Sequence, residues 1–147
     1  MKIVICGSRD ITDPAVLYDA MSNSPWSEAF DFVLPNGEQT LEIVEGGARG
    51  VDTLAKKWAK AQKKAGKPVR PKQFRADWDK WGTSAGPIRN RAMAIYLREA
   101  AKTGEVVGVI AIPSKKRSVG SGTWNMVAQA WAQVPPIQVF VYEDAIV

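Results

Sequence analysis

Five short apolar runs, separated by stretches with helical spacing, constrain this chain more than any other feature. Continuous runs of this kind are typical of strands buried on both faces of a parallel sheet. They predict strands at 2–6, Leu41–Glu45, 67–74, 106–113 and 137–142, with helices at 11–21, 51–65, 87–104 and 123–134. This alternation predicts one α/β domain over residues 1–147, with a Rossmann-like, mostly parallel sheet of about five strands and helices on both faces.

Two segments fit this alternation less directly. Residues 22–40 are predicted to form an irregular insertion, in which the Asn36-Gly37 pair could also turn a β-hairpin. Pro71 places the third strand near an edge of the sheet, because proline cannot donate to a strand ladder. Trp131 lies in an apolar helical pattern and is expected in the core, although it is also a candidate for a subunit contact.

The composition excludes several kinds of site. The chain has no histidine and a single cysteine, Cys6, which argues against a zinc site and a histidine-based triad. Catalysis would have to use carboxylates, hydroxyls or a metal held by oxygen ligands. We expect neither a metal site nor a cofactor. Nine of its 20 basic residues lie between Lys56 and Arg75, where there is no acid. The other 11 basic and 15 acidic residues carry a net charge of −4. We interpret the lysine-rich helix as a solvated face and do not expect a nucleic-acid partner.

No run is long and apolar enough to span a bilayer, and the polar "GSRD" follows the first strand too early for a signal peptide. We therefore expect a cytoplasmic protein without a membrane partner.

Four glycine-containing loops follow the predicted strands, and the carboxyl ends of parallel strands meet at one edge of a sheet. Glycine lets a backbone approach a phosphate closely, and helix N-termini bind anions. We therefore predict a phosphate-binding pocket there. Its residues are Gly7, Ser8 and Arg9 in the first loop, Gly46, Gly47, Arg49 and Gly50 in the second, Asp77, Trp78, Arg89 and Asn90 in the third, and Gly120, Ser121, Gly122 and Thr123 in the fourth.

The third loop contains an apparent anomaly. Gly86-Pro87 is typical of a helix start, yet Arg89 and Arg91 follow at once. Cations are disfavoured at the positive end of a helix. A bound phosphate would explain both arginines, whereas pairing with Asp77 or Asp79 would be a purely structural explanation.

The motifs "GSRDITD", "EGGARGVDTLAKKWA", "ADWDKWGTSAGPIRNRAM" and "GSGTWNM" together resemble the YspA-like, cpYpsA-related branch of the SLOG superfamily, named for Smf/DprA and Lonely Guy proteins. The resemblance covers residues 2–142 and implies a Rossmann-like fold that binds nucleotides or nucleotide-derived ligands. It also implies a homo-oligomer, since relatives often form dimers or larger assemblies.

One departure bears on catalysis. In Lonely Guy enzymes the phosphate-binding threonine is part of a "GTxEE" pattern, in which glutamates come shortly after it. This chain has Trp124 and Asn125 after Thr123. An amide cannot serve as the carboxylate acid or base of glycosidic hydrolysis.

Three functions follow as expectations. The first is binding of a phosphorylated nucleotide-derived molecule, related to NAD or ADP-ribose or to a cyclic nucleotide signal, by a sensor or a sequestering sponge in phage–bacterium conflict. The second is a nucleotide N-glycosidase or phosphoribohydrolase, for which Asp10, Asp77 or Asp79 would supply the carboxylate, with Asp52 the weakest candidate because it suits a helix start. The third is DprA-like binding of single-stranded DNA.

Overall fold

A computed structural model describes residues 1–115 and 121–143, and the side chain of Ser121 is not described. Its strands are β1 (Lys2–Gly7), β2 (Leu41–Glu45), β3 (Val69–Gln73), β4 (Val107–Ile112) and β5 (Val139–Val141). Its helices are α1 (Pro14–Asn23), α2 (Ser27–Phe30), α3 (Val51–Lys64), α4 (Trp78–Trp81), α5 (Ala85–Lys102) and α6 (Ser121–Trp131).

All five strands are parallel, in the order β3-β2-β1-β4-β5. The predicted α/β, Rossmann-like architecture is therefore confirmed. β3, which contains Pro71, lies at an edge as predicted. The chain order reverses between β1 and β4, and a crevice outside the strands' carboxyl ends forms at such a point.

The core has two layers, one on each face of the sheet. Alternate residues of β1 point to opposite faces, so Ile3 and Ile5 pack with α1, α2 and α3, while Val4 and Cys6 pack with α5 and α6. The helices thus cover both faces, and the loops at the carboxyl edge stay open to a ligand.

The segment from Trp26 to Thr40 differs from the hairpin interpretation, which is wrong. Residues Pro35–Gly37 form a short 3-10 turn, and no strand lies between α2 and β2 in this described part of the chain. Trp26 and Phe30 are 8% exposed and pack into the core from either end of α2. These two apolar side chains therefore hold α2 against the core.

The third loop also differs from its prediction. It contains α4 and a 3-10 turn over Gly82–Ser84, and α5 begins at Ala85, two residues earlier than expected. Trp131 is 56% exposed, so its predicted place in the core is wrong.

Candidate functional site

A cavity of about 550 Å³ lies at the carboxyl end of β1, where the strand order reverses. Its walls come from all four predicted loops. Eight predicted residues line it: Gly7, Ser8, Arg9, Trp78, Arg89, Asn90, Gly122 and Thr123. Gly46, Gly47, Arg49, Gly50 and Asp77 do not line it, Gly120 lies outside the described residues, and Ser121 is described only through its backbone.

Arg89 is the central cation of this cavity. Its Nη1 donates a hydrogen bond to the carbonyl oxygen of Gly46 at 2.6 Å, and its Nε donates to Oδ1 of Asn90 at 3.0 Å. Among the described residues, no carboxylate oxygen lies within 4.0 Å of its nitrogens. Burial lowers the pKa of Arg89, but a guanidinium stays charged in proteins. Asp52, in the same cavity, attracts Arg89 at longer range, but the guanidinium has no direct ion-pair partner among the described residues.

The loop after β2 positions this arginine. A Cβ atom on Gly46 would lie 2.8 Å from Cζ of Arg89, so only glycine leaves room for the guanidinium. The amides of Gly46 and Ala48 donate to Oδ2 of Asp52 at 3.0 and 3.2 Å, and the amide of Gly47 donates to Oε1 of Glu45 at 3.0 Å. Because these amides already donate hydrogen bonds within the protein, the loop contributes to the cavity wall through the carbonyl oxygen of Gly46 and through the absence of side chains on its glycines. Ligand contact by its glycines stays a prediction.

Two other glycines allow close packing of β1 against α3. Gly50 has φ +75°, and a Cβ there would collide with the carbonyl oxygen of Ser8. A Cβ on Gly7 would lie 2.5 Å from Cγ2 of Val51 at the start of α3. The amide of Val51 donates to Ser8 at 3.2 Å, which holds the start of α3 against the end of β1. Arg49, next to this contact, is exposed.

The start of α6 forms the opposite wall. Nδ2 of Asn90 donates to the carbonyl oxygen of Gly122 at 3.2 Å and to Oδ1 of Asn125 at 3.1 Å, which ties α5 to α6. Thr123 is only 4% exposed, and its hydroxyl has no hydrogen-bond partner among the described residues. Buried hydroxyls without a partner are rare in native proteins, so this group requires an explanation.

Aromatic and cationic side chains form the rim. The guanidinium of Arg9 lies 5.9 Å from the ring centroid of Trp78, within range of a cation–π contact. Trp78 is 48% exposed, and its ring passes so near α5 that a Cβ on Gly86 would lie 3.3 Å from it. Asp77 accepts from the amide of Lys80 at 3.1 Å and caps α4, outside the cavity.

The carboxylates are arranged differently from the enzyme prediction. Neither Asp10, Asp77 nor Asp79 lines the cavity. Asp10 accepts hydrogen bonds from the hydroxyls of Ser8 and Ser114. Asp52 is the only carboxylate among the described lining residues, and burial raises its pKa to about 6. The signal that could have placed Asp52 in the site was its position at the start of α3, beside the carboxyl end of β1.

Cys6 also lines the cavity, although it was not among the residues predicted for the pocket. Burial raises the pKa of its thiol, so it contributes an apolar wall. Within residues 1–115 and 121–143, no three cysteine, aspartate or glutamate side chains are grouped to hold a metal ion. In the same part of the chain, no helix is both long enough and apolar enough to cross a membrane.

The model of the YAcAr family, described as the YspA, cpYpsA-related SLOG family, matches residues 1–81, more than half of the chain. The chain belongs to the YAcAr family. The matched part contains β1, the glycine-rich loop after β2 and α4, whereas Arg89 and Thr123 lie beyond it. The predicted resemblance to the YspA-like SLOG branch is thereby confirmed.

A phage protein is similar to this YAcAr chain. The Gene 61 protein of Mycobacterium phage D29 is 35% identical over 92 residues, which cover 63% of this chain and 66% of the relative. The match thus spans slightly less than two thirds of the relative's length. No solved structure gives a significant match.

Proposed function

We propose that the cavity binds a phosphorylated, nucleotide-derived small molecule. The observation that carries this proposal is that Arg89 and Thr123 line the same cavity: among the described residues the guanidinium has no direct ion pair, and the buried hydroxyl has no hydrogen-bond partner. A phosphate group would satisfy both, because it carries negative charge and accepts several hydrogen bonds.

The donors available to a phosphate can be named. Arg89 has five N–H donors and uses one at Nη1 and one at Nε on protein acceptors, which leaves three. The first amides of α6 lack acceptors within the helix and point out of its N-terminus, where the helix dipole favours an anion. Together with the Thr123 hydroxyl, these groups converge on the cavity from two helices.

The remaining space suits a nucleoside. Drug-sized and nucleotide-sized ligands occupy pockets of about 300–1,000 Å³, a range that includes this cavity. The exposed face of Trp78 offers a stacking surface for a base, and Arg9 beside it adds a second cation at the mouth. Membership of the YAcAr family supports a nucleotide-related ligand. The similarity to a phage protein is compatible with sequestration of a nucleotide signal in phage–bacterium conflict.

Calorimetry tests the proposal. The chain is titrated with mononucleotides, NAD, ADP-ribose, isomers of cyclic ADP-ribose and cyclic dinucleotides. In parallel, small molecules released by denaturing the purified protein are identified by mass spectrometry. We expect at least one phosphorylated compound to bind wild type and the Arg91→Ala variant equally and to lose affinity for Arg89→Ala. Absence of binding by every compound, with no released ligand, would contradict the proposal.

A second candidate function is hydrolysis of an N-glycosidic bond, and Asp52 is the observation that favours it. Its carboxyl group lines the cavity and has a pKa of about 6, near the operating pH of a general acid. Asp52 would give its proton to the departing base, water would add to C1′ of the ribose, and the proton of that water would return to Asp52.

Chromatography of nucleotides incubated with the protein tests this activity. Free base should accumulate with wild type and not with Asp52→Asn, while calorimetry shows that the variant still binds the nucleotide. If wild type releases no base from any nucleotide that it binds, hydrolysis is contradicted and the binding function is unaffected.

A further inference from the structure

A second cleft of about 290 Å³ lies beside the cavity, at the carboxyl ends of β2 and β3. Three lysines of α3 line it, Lys56, Lys57 and Lys60, and we call it the lysine cleft. Glu45 and Gln73 form its floor, and Ala48 lines both this cleft and the larger cavity. Only the loop after β2 separates the two spaces.

The lysine cleft has an excess of positive charge, because its described lining contains three lysines and one carboxylate, that of Glu45. Among the described residues, no carboxylate oxygen lies within 4.0 Å of the three lysine nitrogens. The carboxylate of Glu45, which is 1% exposed, is already occupied: it accepts from the amide of Gly47 at 3.0 Å and from Nε2 of Gln73 at 2.7 Å. The one acid in the cleft therefore makes its hydrogen bonds within the protein and attracts Lys56 only at longer range, and the three lysines line the cleft without a direct ion pair among the described residues.

The wall between the two spaces is fixed on both sides. The amide of Ala48 donates to Asp52 at 3.2 Å, on the side of the larger cavity. Its carbonyl oxygen accepts from the hydroxyl of Thr53 at 2.9 Å, and Thr53 lines the lysine cleft. A ligand that crosses Ala48 would thus meet a preformed surface with a cation on either side.

We propose that the lysine cleft binds a second phosphate group of the same ligand. The inference rests on the proposed function, since the first phosphate is the one held by Arg89 and Thr123. It names the ligand class: nucleotides whose phosphates are separated by a ribose, such as nucleoside 3′,5′-bisphosphates and cyclic dinucleotides. A 5′-monophosphate would leave the lysines without a partner.

Calorimetry with defined nucleotides tests this inference. The probes are the 5′-monophosphates, 5′-diphosphates and 3′,5′-bisphosphates of adenosine, guanosine, cytidine and uridine. We expect a bisphosphate to bind about tenfold more tightly than its monophosphate, the gain typical of one charge-assisted contact. The 5′-diphosphate has a similar charge but adjacent phosphates, and we expect it to gain less.

A double variant tests whether the lysines cause the gain in affinity. Lys56→Ala/Lys60→Ala should lower the affinity for the bisphosphate to that of the monophosphate and leave the affinity for the monophosphate unchanged. Lys63→Ala/Lys64→Ala removes the same charge from the same helix outside the cleft, and it should keep the gain.

The other outcomes are distinct. If monophosphates bind but bisphosphates bind no more tightly, or if the gain survives in Lys56→Ala/Lys60→Ala, the inference fails and the proposed function stands. If neither these probes nor the compounds titrated to test the proposed function bind, and no ligand is released by denaturation, both fail. If a single-stranded oligonucleotide binds more tightly than any bisphosphate and only Lys56→Ala/Lys60→Ala loses that binding, the surface belongs to nucleic acid and the inference is overturned.

Discussion

Arg89 and Arg91 are two residues apart on α5, yet their surroundings differ. Arg89 is half-buried and bonded to Gly46 and Asn90, whereas Arg91 is exposed. Because α5 begins at Ala85, both arginines lie beyond its first four residues, and the unfavourable dipole effect falls off within the first turn. The apparent anomaly in the sequence is therefore smaller than it seemed. The feature that indicates a ligand is the half-buried guanidinium of Arg89, which lines a cavity and has no direct ion pair among the described residues.

The Thr123 hydroxyl gives a residue-scale prediction with two opposite effects. Thr123→Val keeps the shape of the side chain and removes a buried polar group without a partner. We expect the free energy of unfolding to rise by about 1 kcal/mol and the affinity for the bound nucleotide to fall. Urea denaturation and calorimetry measure the two effects.

Thr103→Val is the comparison, because the Thr103 hydroxyl donates to the carbonyl oxygen of Ala100 at 2.8 Å. That variant should gain no stability. Equal stability changes in the two variants would show that Thr123 has a partner in solution.

Asp52 gives a prediction in pH. Its folded-state pKa of about 6 lies above the ordinary value of 3.8, so between these values the folded chain binds more protons than the unfolded chain. Stability from this group is present at low pH and decreases as the pH rises through that window, by about 3 kcal/mol in total.

Urea denaturation of wild type and Asp52→Asn between pH 4 and pH 7 isolates the effect. The asparagine Oδ1 can still accept from the amides of Gly46 and Ala48, and it does not titrate. The stability of wild type relative to the variant should fall across this range. A constant difference would show that Asp52 ionises as an ordinary carboxyl group.

At the scale of elements, the junction of β1 and α3 depends on Gly50. Gly50→Ala combines a positive φ with a collision against the carbonyl oxygen of Ser8, and we expect it to lower the free energy of unfolding by about 3 kcal/mol or more. Gly66→Ala is the matched control, because Gly66 has φ +82° and nothing within 4 Å of its added Cβ. It should cost only about 1–2 kcal/mol. Similar losses in both variants would mean that the collision at Gly50 relaxes.

The elements that sequence predicted well are those with a strong apolar pattern. The apolar runs of β1 and β4 are continuous, and their burial between two helical layers follows from that pattern. The segment around Trp26 and Phe30 was harder, because a short helix docked by two aromatic side chains has no distinct periodicity. The same limit applies to α4, a four-residue helix whose capping residue Asp77 looked like a site residue.

The location of the candidate site could be predicted from the sequence, but many of the contacts within it could not. Convergence of the four loops follows from strand polarity alone. The occupied amides of Gly46 and Gly47 could not be predicted, because their acceptors Asp52 and Glu45 depend on three-dimensional packing. Arg89 was predicted to line the pocket and does so, but its hydrogen bonds to Gly46 and Asn90 could not be predicted for the same reason.

At the scale of the whole molecule, α6 presents an unusual surface. Its sequence contains no charged residue, and Trp124 and Trp131, seven residues apart and so on one face, are 45% and 56% exposed. Exposed apolar patches of this kind mark interaction sites. We predict that the chain self-associates through this face.

Sedimentation velocity over a range of concentrations measures this association. Trp131→Glu should shift the protein toward the monomer, because a charge is costly to bury without a partner. Trp81→Glu introduces the same charge at a tryptophan that is 48% exposed on α4, and it should leave the association unchanged. A wild-type monomer at all concentrations would contradict the prediction.

The central claim is that Arg89 anchors a phosphorylated ligand. It is tested most directly by the melting temperature of wild type, Arg89→Ala, Arg89→Lys and Arg91→Ala, with and without the nucleotide that calorimetry identifies. At a ligand concentration about 100 times the Kd, wild type and Arg91→Ala should be stabilised by about 5–10 °C. Arg89→Lys, which keeps the charge, should retain part of that rise, and Arg89→Ala should show none. An Arg89→Ala protein that is stabilised as much as wild type would contradict the claim.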